Sequence, residues 1–310
     1  MSRKTKLIAG IVLAVLVAAV GLIASVIVTV TGESRQPVIV RDAASLTSAF
    51  SSHEEGTIVL ANDITIDGDL TITDLRSFDL YGHSLTVNGR LTISSEEEGE
   101  YDFGGDAPDG DGIGEGRISA GSVSVDVPNA DIDWYGGLSV ASLGSFVIEN
   151  SGRLVFGGTF AYSDGSASAA PGIVMYGGDL VLSSTSDNIA YAVTVPVGAD
   201  NVRVENGMSA EGAAVYVQTA ASVRLAGRVN VAVDDGSTGV TLDAEENADI
   251  TLADGIAASI TGRASSVIIG QGAAVSGDVE AAGSVENNGI VYGDINAGAV
   301  SGKGTYSVRD

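Results

Sequence analysis

The stretch that decides the fold runs from residue 57 to residue 93 and reads TIVLANDITIDGDLTITDLRSFDLYGHSLTVNGRLTI. It consists of short alternating apolar and polar segments, which are typical of half-buried strands, separated by glycine, asparagine and aspartate. Three segments recur at a nearly constant offset, from Ile58 to Phe78, from Ile64 to Leu85, and from Leu70 to Leu91. Three short strands in about 20 residues predict a parallel β-solenoid, in which successive turns of chain stack on one another.

The rest of the chain continues this pattern. Similar segments begin at Val202, Val223, Ile250 and Val267, with a less regular offset from each to the next. The chain has 42 glycines, which suit tight turns, and only 5 prolines, which suits strands that donate hydrogen bonds along a ladder. A β-sandwich stays open as an alternative, because Asn-Gly and Asp-Gly turns also occur.

Residues 33–56 are predicted to be a linker and an amino-terminal cap. A strand at Val38–Val40 precedes Asp42, which opens an amphipathic helical stretch. The order strand, helix, GTIVLANDITID and then DLYGHSLTVNG resembles the start of right-handed β-helix proteins of the pectin-lyase-like class, especially bacterial surface adhesins. The resemblance implies an all-β fold, a single right-handed parallel β-helix over residues 57–310 with a short capping helix.

The amino terminus predicts a membrane anchor. Residues 1–6 carry three bases, and residues 7–32 contain no charged side chain, enough for a helix to cross a bilayer. The positive-inside rule then leaves the amino terminus cytoplasmic and the bulk of the chain extracellular, as in a single-pass cell-membrane protein. A cleaved signal peptide is the alternative. The small residues Gly10, Ala14 and Ala18 would allow weak helix dimerisation in the membrane.

Charge and composition exclude several classes of protein. Forty acidic against 15 basic residues give a net charge of −25, which opposes binding to nucleic acid. The absence of cysteine excludes disulfide scaffolds and thiolate metal sites.

An acidic insertion at residues 94–116 is the sharpest local feature. One interpretation is a calcium site with oxygen ligands, and the other is a solvated, self-repelling loop. The candidate calcium ligands are Asp106, Asp109, Asp111 and Glu115.

The fold resemblance makes a polysaccharide hydrolase or lyase the first enzyme to consider. Hydrolases of that class pair Asp-Asp with Gly-His-Gly and Arg-x-Lys. Here the adjacent pair Asp234-Asp235 reads as a turn, and neither His53 nor His83 has the matching context. The bases available to a lyase are Arg203, Arg224 and Arg228. We therefore assign no catalytic residue and no cofactor other than the candidate calcium.

Residues 131–135 contain the only tryptophan of the chain. The four residues Asp131, Asp133, Trp134 and Tyr135 could contact a sugar, with a ring to stack on it and carboxylates to accept from its hydroxyls. The alternative is that Trp134 fills the interior, as large aromatic residues usually do.

The sequence favours a structural or adhesive cell-surface protein without catalysis, whose partner is a cell-surface protein or a polysaccharide. A carbohydrate-active enzyme or sugar-binding module on the same scaffold is the alternative. Residues 272–302 resemble the Gly-Asp-Val/Ile repeats of bactofilins. No amphipathic helix follows these repeats, so residues 289–310 are predicted to support weak self-association.

Overall fold

A computed structural model describes residues 36–52, 56–105, 116–142, 144–163, 172–183, 192–207, 213–219, 221–233 and 239–306. The chain divides into two compact units, residues 1–36 and 37–310. All of the secondary structure reported below belongs to the second unit.

The described residues contain one helix, α1 (Ala43–Ala49), and 27 strands. The first half of the strands is β1 (Val38–Val40), β2 (Ile58–Leu60), β3 (Ile64–Ile66), β4 (Leu70–Ile72), β5 (Phe78–Asp79), β6 (Ser84–Ser94), β7 (Gly99–Phe103), β8 (Arg117–Trp134), β9 (Gly137–Val140), β10 (Phe146–Phe156), β11 (Phe160–Tyr162), β12 (Ile173–Met175) and β13 (Gly178–Leu182). The second half is β14 (Ala192–Val195), β15 (Val202–Asn206), β16 (Ala213–Val217), β17 (Ser222–Val233), β18 (Val240–Ala244), β19 (Asp249–Leu252), β20 (Ala257–Gly262), β21 (Ala264–Ile269), β22 (Ala274–Ser276), β23 (Val279–Asn287), β24 (Ile290–Tyr292), β25 (Ile295–Asn296), β26 (Ala299–Ser301) and β27 (Thr305–Tyr306).

The strands pair in parallel, and their register follows the spacing read from the sequence. All three recurrences of the opening stretch are paired: Ile58 with Phe78, Ile64 with Leu85, and Leu70 with Leu91. The predicted spacing of this region is therefore confirmed. The reason is the period of two in a strand, since only matching registers stack apolar residues on apolar residues.

One of the strand pairings predicted from the later recurrences, that of Val223 with Ile250, is wrong. Val202 pairs with Val223 and Ile250 pairs with Val267, as their spacing predicts. Ile250, however, pairs with Val229, not with Val223. The cause is that β17 is long enough to pair through its two halves with different strands.

Fourteen strands form one continuous row, which we call the long row. In order of pairing it comprises β1, β2, β5, β7, β8, β10, β13, β15, β17, β18, β20, β22, β24 and β27. At a spacing of about 4.8 Å between strands, this row is about 60 Å long.

Two further rows run beside the long row, and a separate short ladder joins β25 to the start of β23. The second row comprises β4, β6, β8, β10, β12, β14, β16, β17, β19, β21, β23 and β26. The third row comprises β3, β6, β8, β9 and β11. The third row therefore ends, among the described residues, at Tyr162.

The predicted fold class has to be corrected. Strands β10 and β17 each belong to both the long row and the second row, and between them pairing closes into a ring of seven parallel strands: β10, β12, β14, β16, β17, β15 and β13. The described chain is mostly strand with a single helix, and this closed parallel arrangement contradicts the predicted single right-handed β-helix. The prediction failed because it assumed short separate strands, whereas β8, β10 and β17 are 18, 11 and 12 residues long.

The predicted membrane anchor and single-pass localisation are also corrected. Across the described residues, the structure has no helix that is both long enough and apolar enough to span a bilayer. The predicted transmembrane helix is therefore not found among the described residues. The segment 7–32, on which that prediction rested, lies outside the described residues.

A column of aromatic rings fills the interior of the first half. Neighbouring rings lie 5.2–6.2 Å apart between centroids, within the range of favourable ring contacts. The column comprises Phe50, Phe78, Phe103, Trp134, Phe146, Phe156, Phe160 and Tyr162. Beyond residue 202 the buried apolar residues are valine, leucine, isoleucine and alanine.

The amphipathic stretch after Asp42 forms α1. Asp42 begins the helix by accepting a hydrogen bond from the Ser45 amide at 2.8 Å, and the Ser45 hydroxyl completes a capping box. Its apolar face buries Leu46 and Ala49 at the start of the strand rows, and Phe50 begins the aromatic column.

Candidate functional site

Register aligns charged residues along the outer face of the long row, because every second residue of a strand points the same way. On neighbouring strands of this row, Glu100 pairs with Asp131, and Asp131 pairs with Arg153. Further along the row, each residue pairs with the next in the series Asp179, Arg203, Arg224 and Asp243. The pairing of Leu154 with Leu180 places Arg153 beside Asp179. We call these seven residues the charged column: Glu100, Asp131, Arg153, Asp179, Arg203, Arg224 and Asp243.

Arg203 lies at the centre of the most extensive ion-pair cluster on this face. Its Nε donates to Glu245 Oε1 at 2.6 Å, its Nη1 to Asp179 Oδ1 at 2.9 Å, and its Nη2 to Glu205 Oε2 at 2.8 Å. A second bond from Nη2 to Glu245 Oε2, at 2.9 Å, makes that contact bidentate. Only 19% of the Arg203 side chain is exposed, so solvent screens this cluster less than an ordinary surface pair.

The carboxylates of the cluster respond differently to their surroundings. Burial raises the pKa of Asp179, and this outweighs the hydrogen bond that it accepts from Arg203. The hydrogen bond from Arg203 lowers the pKa of Glu245 despite partial burial. The same bond raises the pKa of the Arg203 guanidinium above its already high value. Arg203 is thus held as a cation, which is the opposite of what a lyase base requires.

The other two arginines named from the sequence, Arg224 and Arg228, are more exposed than Arg203. Arg224 Nε lies 3.5 Å from Asp243 Oδ2, and more than half of its side chain is exposed. Arg228 is also exposed. It lies in the half of β17 that pairs with β19 in the second row, outside the charged column. The structure therefore places Arg203 and Arg224 on adjacent strands but does not bring all three arginines together.

The predicted sugar-contact residues divide between the two sides of β8. Trp134 is fully buried, with its ring 5.8 Å from Phe103 and about 6 Å from two further rings, so the indole is not available to a ligand. Asp131, Asp133 and Tyr135 are partly exposed and lie on the opposite side, as alternation requires. In the sequence, the alternation of polar and apolar residues around Trp134 already indicates that Trp134 lies on the opposite side of the strand from Asp133 and Tyr135.

The three outer residues lie in a polar surrounding. Arg153 Nη1 is 3.6 Å from Asp133 Oδ1. Partial burial raises the pKa of the Tyr135 hydroxyl, with smaller contributions from the charges of Asp133 and Asp102. Tyr135 therefore keeps its proton at neutral pH and can both donate and accept a hydrogen bond.

Sequence analysis missed a structural role for aspartates in the turns. In four places an aspartate Oδ1 accepts from a backbone amide 16–21 residues later, at 2.8–2.9 Å. The pairs are Asp63 with Ser84, Asp69 with Arg90, Asp254 with Gln271, and Asp278 with Asp294. Because each offset equals the local repeat, the available signal in the sequence was an aspartate placed one repeat before the amide that it accepts from.

The predicted calcium ligands Asp106, Asp109, Asp111 and Glu115 lie outside the described residues, as do His53 and Asp234-Asp235. Elsewhere, within the described ranges, no group of three or more acidic or histidine side chains could hold a metal ion. His83 Nδ1 lies 3.5 Å from Asp63 Oδ1, in the turn network and away from the charged column.

Comparison with known proteins identifies no relative of this chain. No protein-family model matches the chain, and neither a curated protein nor a solved structure matches it.

Proposed function

We propose that this chain is a structural or adhesive protein without catalytic activity, and that its long row presents a polar face to a cell-surface protein or a polysaccharide. The observation that carries the proposal is the unbroken row of fourteen parallel strands with the charged column along its outer face. Such a row holds its side chains at a regular spacing of about 4.8 Å, which suits a repeating partner.

The contacts of the charged column support a binding role. The guanidinium of Arg203 donates to three carboxylates, so the positions of these carboxylates, which can accept from a partner, are fixed before any partner arrives. Fixed side chains lose little entropy on binding, which favours recognition. Chemistry on a sugar chain would instead need a free base or a carboxyl pair at a defined separation.

A sugar-binding module is a second candidate, and the position of Tyr135 favours it. Its partly exposed ring lies beside Asp133, a carboxylate that can accept from sugar hydroxyls. This candidate uses Asp131, Asp133 and Tyr135 and leaves out the buried Trp134.

Binding of the purified full chain to insoluble polysaccharides, such as cellulose, chitin and cross-linked polygalacturonate, tests both candidates. The assay measures depletion of the protein from solution and release of reducing ends or unsaturated products. We expect retention on at least one polymer or on intact cells without product release. Product release would overturn the non-catalytic proposal, and no retention on any polymer or cell would overturn the adhesive one.

Two variants distinguish the binding surfaces. Loss of retention in Tyr135→Ala, with Arg263→Gln as a control outside the charged column, would assign binding to the sugar-contact residues. Retention in Tyr135→Ala and its loss in Arg224→Glu would assign it to the charged column, where the substitution reverses one exposed charge.

A further inference from the structure

The interior is open at the end of the rows formed by β26 and β27. Val300 pairs with Val285, and Tyr306 pairs with Val291, so both side chains point to the same side as two fully buried valines. Yet Val300 is 51% exposed and Tyr306 is 60% exposed, whereas Val285 and Val291 are 0% exposed. Core-facing residues at this end therefore meet solvent.

The opposite end of the rows is covered. There Val40 points inward and is 1% exposed, because Leu46 and Phe50 pack across the first strands. The two ends are consequently not equivalent, and only the one at β26 and β27 presents an apolar interior.

The same end also has unpaired strand edges. Within the described part of the chain, β26 pairs only with β23, and β27 pairs only with β24. Their outward backbone groups are a template for another strand, and the natural partner for such an edge is a second edge.

The distribution of charge favours a second copy of this chain as the molecule that binds at this end. The chain as a whole carries −25, so two copies repel each other over most of their surface. Residues 295–306, which we call the open end, contain no acidic residue and one base, Lys303. Two copies can thus approach at their open ends with the least repulsion.

We propose that the open end binds the open end of a second copy of this chain. The two copies are related by a two-fold axis, so that Val300 and Tyr306 of one copy cover those of the other. The edge strands of the two copies then run antiparallel, a pairing that satisfies their backbone groups as well as a parallel one does. The long row becomes a composite of twice its length, with the helix-covered ends pointing outward.

Cysteine cross-linking in the full chain tests this arrangement, because the chain has no cysteine of its own. Ser301→Cys places one thiol at the open end, and Ser48→Cys places one on the exposed side of α1 at the other end. A third variant, Val197→Cys, provides an exposed position on neither end. Each is treated with a short bis-maleimide across a range of protein concentrations and salt.

We expect a covalent dimer from Ser301→Cys and not from the other two variants. Adding Val300→Asp to Ser301→Cys should lower the dimer yield by about tenfold, since a charge would be buried in an apolar contact. Val300 is exposed in a single copy, so this change leaves the core intact, which an unaltered thermal midpoint verifies. Equal yields from all three positions, no dimer from Ser301→Cys, or an unaffected Val300→Asp variant would overturn the proposal.

Discussion

Two parts of this molecule, residues 58–162 and residues 202–306, differ in how their rows of parallel strands enclose the interior. Between residues 58 and 162, three rows of strands enclose the interior, and paired long-row residues such as Gly99 and Ala130 lie far apart in the sequence. Between residues 202 and 306 the described strands form the long row and the second row, apart from β25, which pairs with the start of β23 outside both rows. There the paired residues, such as Val275 and Val291, are closer together in the sequence.

The size of the core residues follows the number of rows. The three-row half encloses the aromatic column, with Trp134 at its centre, whereas the two-row half is closed by valine, leucine, isoleucine and alanine. A wider interior needs larger side chains to reach native packing density. The comparison shows that the aromatic core residues occur where the long row, the second row and the third row enclose the interior.

The largest expected effect is in the aromatic column. Trp134→Ala should lower the free energy of unfolding by about 4 kcal/mol, and Leu225→Ala in the two-row half by about 3 kcal/mol, because a larger cavity costs more. Urea unfolding followed by far-ultraviolet circular dichroism measures both. Equal or reversed values would break the link between row number and core size.

Trp134→Phe sharpens this experiment. The indole Nε1 is buried without a hydrogen-bond acceptor, so the phenyl ring loses packing area but also removes an unsatisfied donor. We expect a cost well below that of alanine. A cost as large as that of Trp134→Ala would show that the shape of the indole ring, not apolar volume, supports the column.

The next effect concerns the outer face of the two-row half, where two arginines differ in their contacts. Arg203→Met should cost about 2 kcal/mol, because it leaves Asp179, Glu205 and Glu245 close together without their cation. Arg224→Met is the matched control, with one long contact and an exposed side chain, and should change stability by less than about 0.5 kcal/mol. Similar losses in both variants would contradict a special role for the cluster.

A smaller effect should be common to both halves. Asp69→Ala in the three-row half and Asp278→Ala in the two-row half should each cost about 1 kcal/mol, since each leaves a backbone amide one repeat later without its acceptor. Asp67→Ala is the control, because Asp67 only accepts a long side-chain bond from Asn88 at 3.3 Å. Thermal unfolding of the three variants provides the comparison, and an equal loss in the control would refute the role of turn aspartates.

The smallest effect is a pH dependence of the cluster around Arg203. The lowered pKa of Glu245 gives a stabilisation that is complete above the unfolded glutamate pKa, about 4.3, and is lost as pH falls through the folded value. Glu245→Gln should therefore cost about 0.5 kcal/mol at pH 7 and progressively less as pH falls through the folded pKa.

Asp179 provides the opposite sign within the same cluster. Its raised pKa means that its contribution is present below the unfolded aspartate pKa and is lost as pH rises through the folded value. Asp179→Asn should consequently be better tolerated at pH 7 than Glu245→Gln. Urea midpoints at pH 2, 4 and 7 compare the variants, and a larger loss for Asp179→Asn at pH 7 would reverse our assignment.

Much of the strand register could be predicted from local pattern. The trios at Ile64 and Leu70 find their partners one repeat later because apolar residues must stack in register. The same reasoning failed at β17, where the spacing predicts that Ile250 follows Val223 but Ile250 pairs with Val229, because β17 serves two rows. Likewise, Asn88-Gly89 and Pro128 lie inside β6 and β8, where local signals predict breaks.

The candidate site was less predictable. Alternation separates Trp134 from Asp133 and Tyr135, and that much is visible in the sequence. The cluster around Arg203 joins residues 24 and 42 positions away, Asp179 and Glu245, and no local pattern indicates which strands become neighbours. The half-buried state of Arg203 depends on that neighbourhood as well.

By itself, the sequence determined that this chain is acidic, free of cysteine, and built from short alternating apolar segments about 20 residues apart, because these are properties of composition and period. Only the tertiary structure decided that strands bend through glycine and proline, that pairing closes between β10 and β17, and that one end is covered while the other is open. The physical reason is that corners and ends depend on contacts between residues distant in the chain, whereas period and alternation are set by the geometry of a single strand.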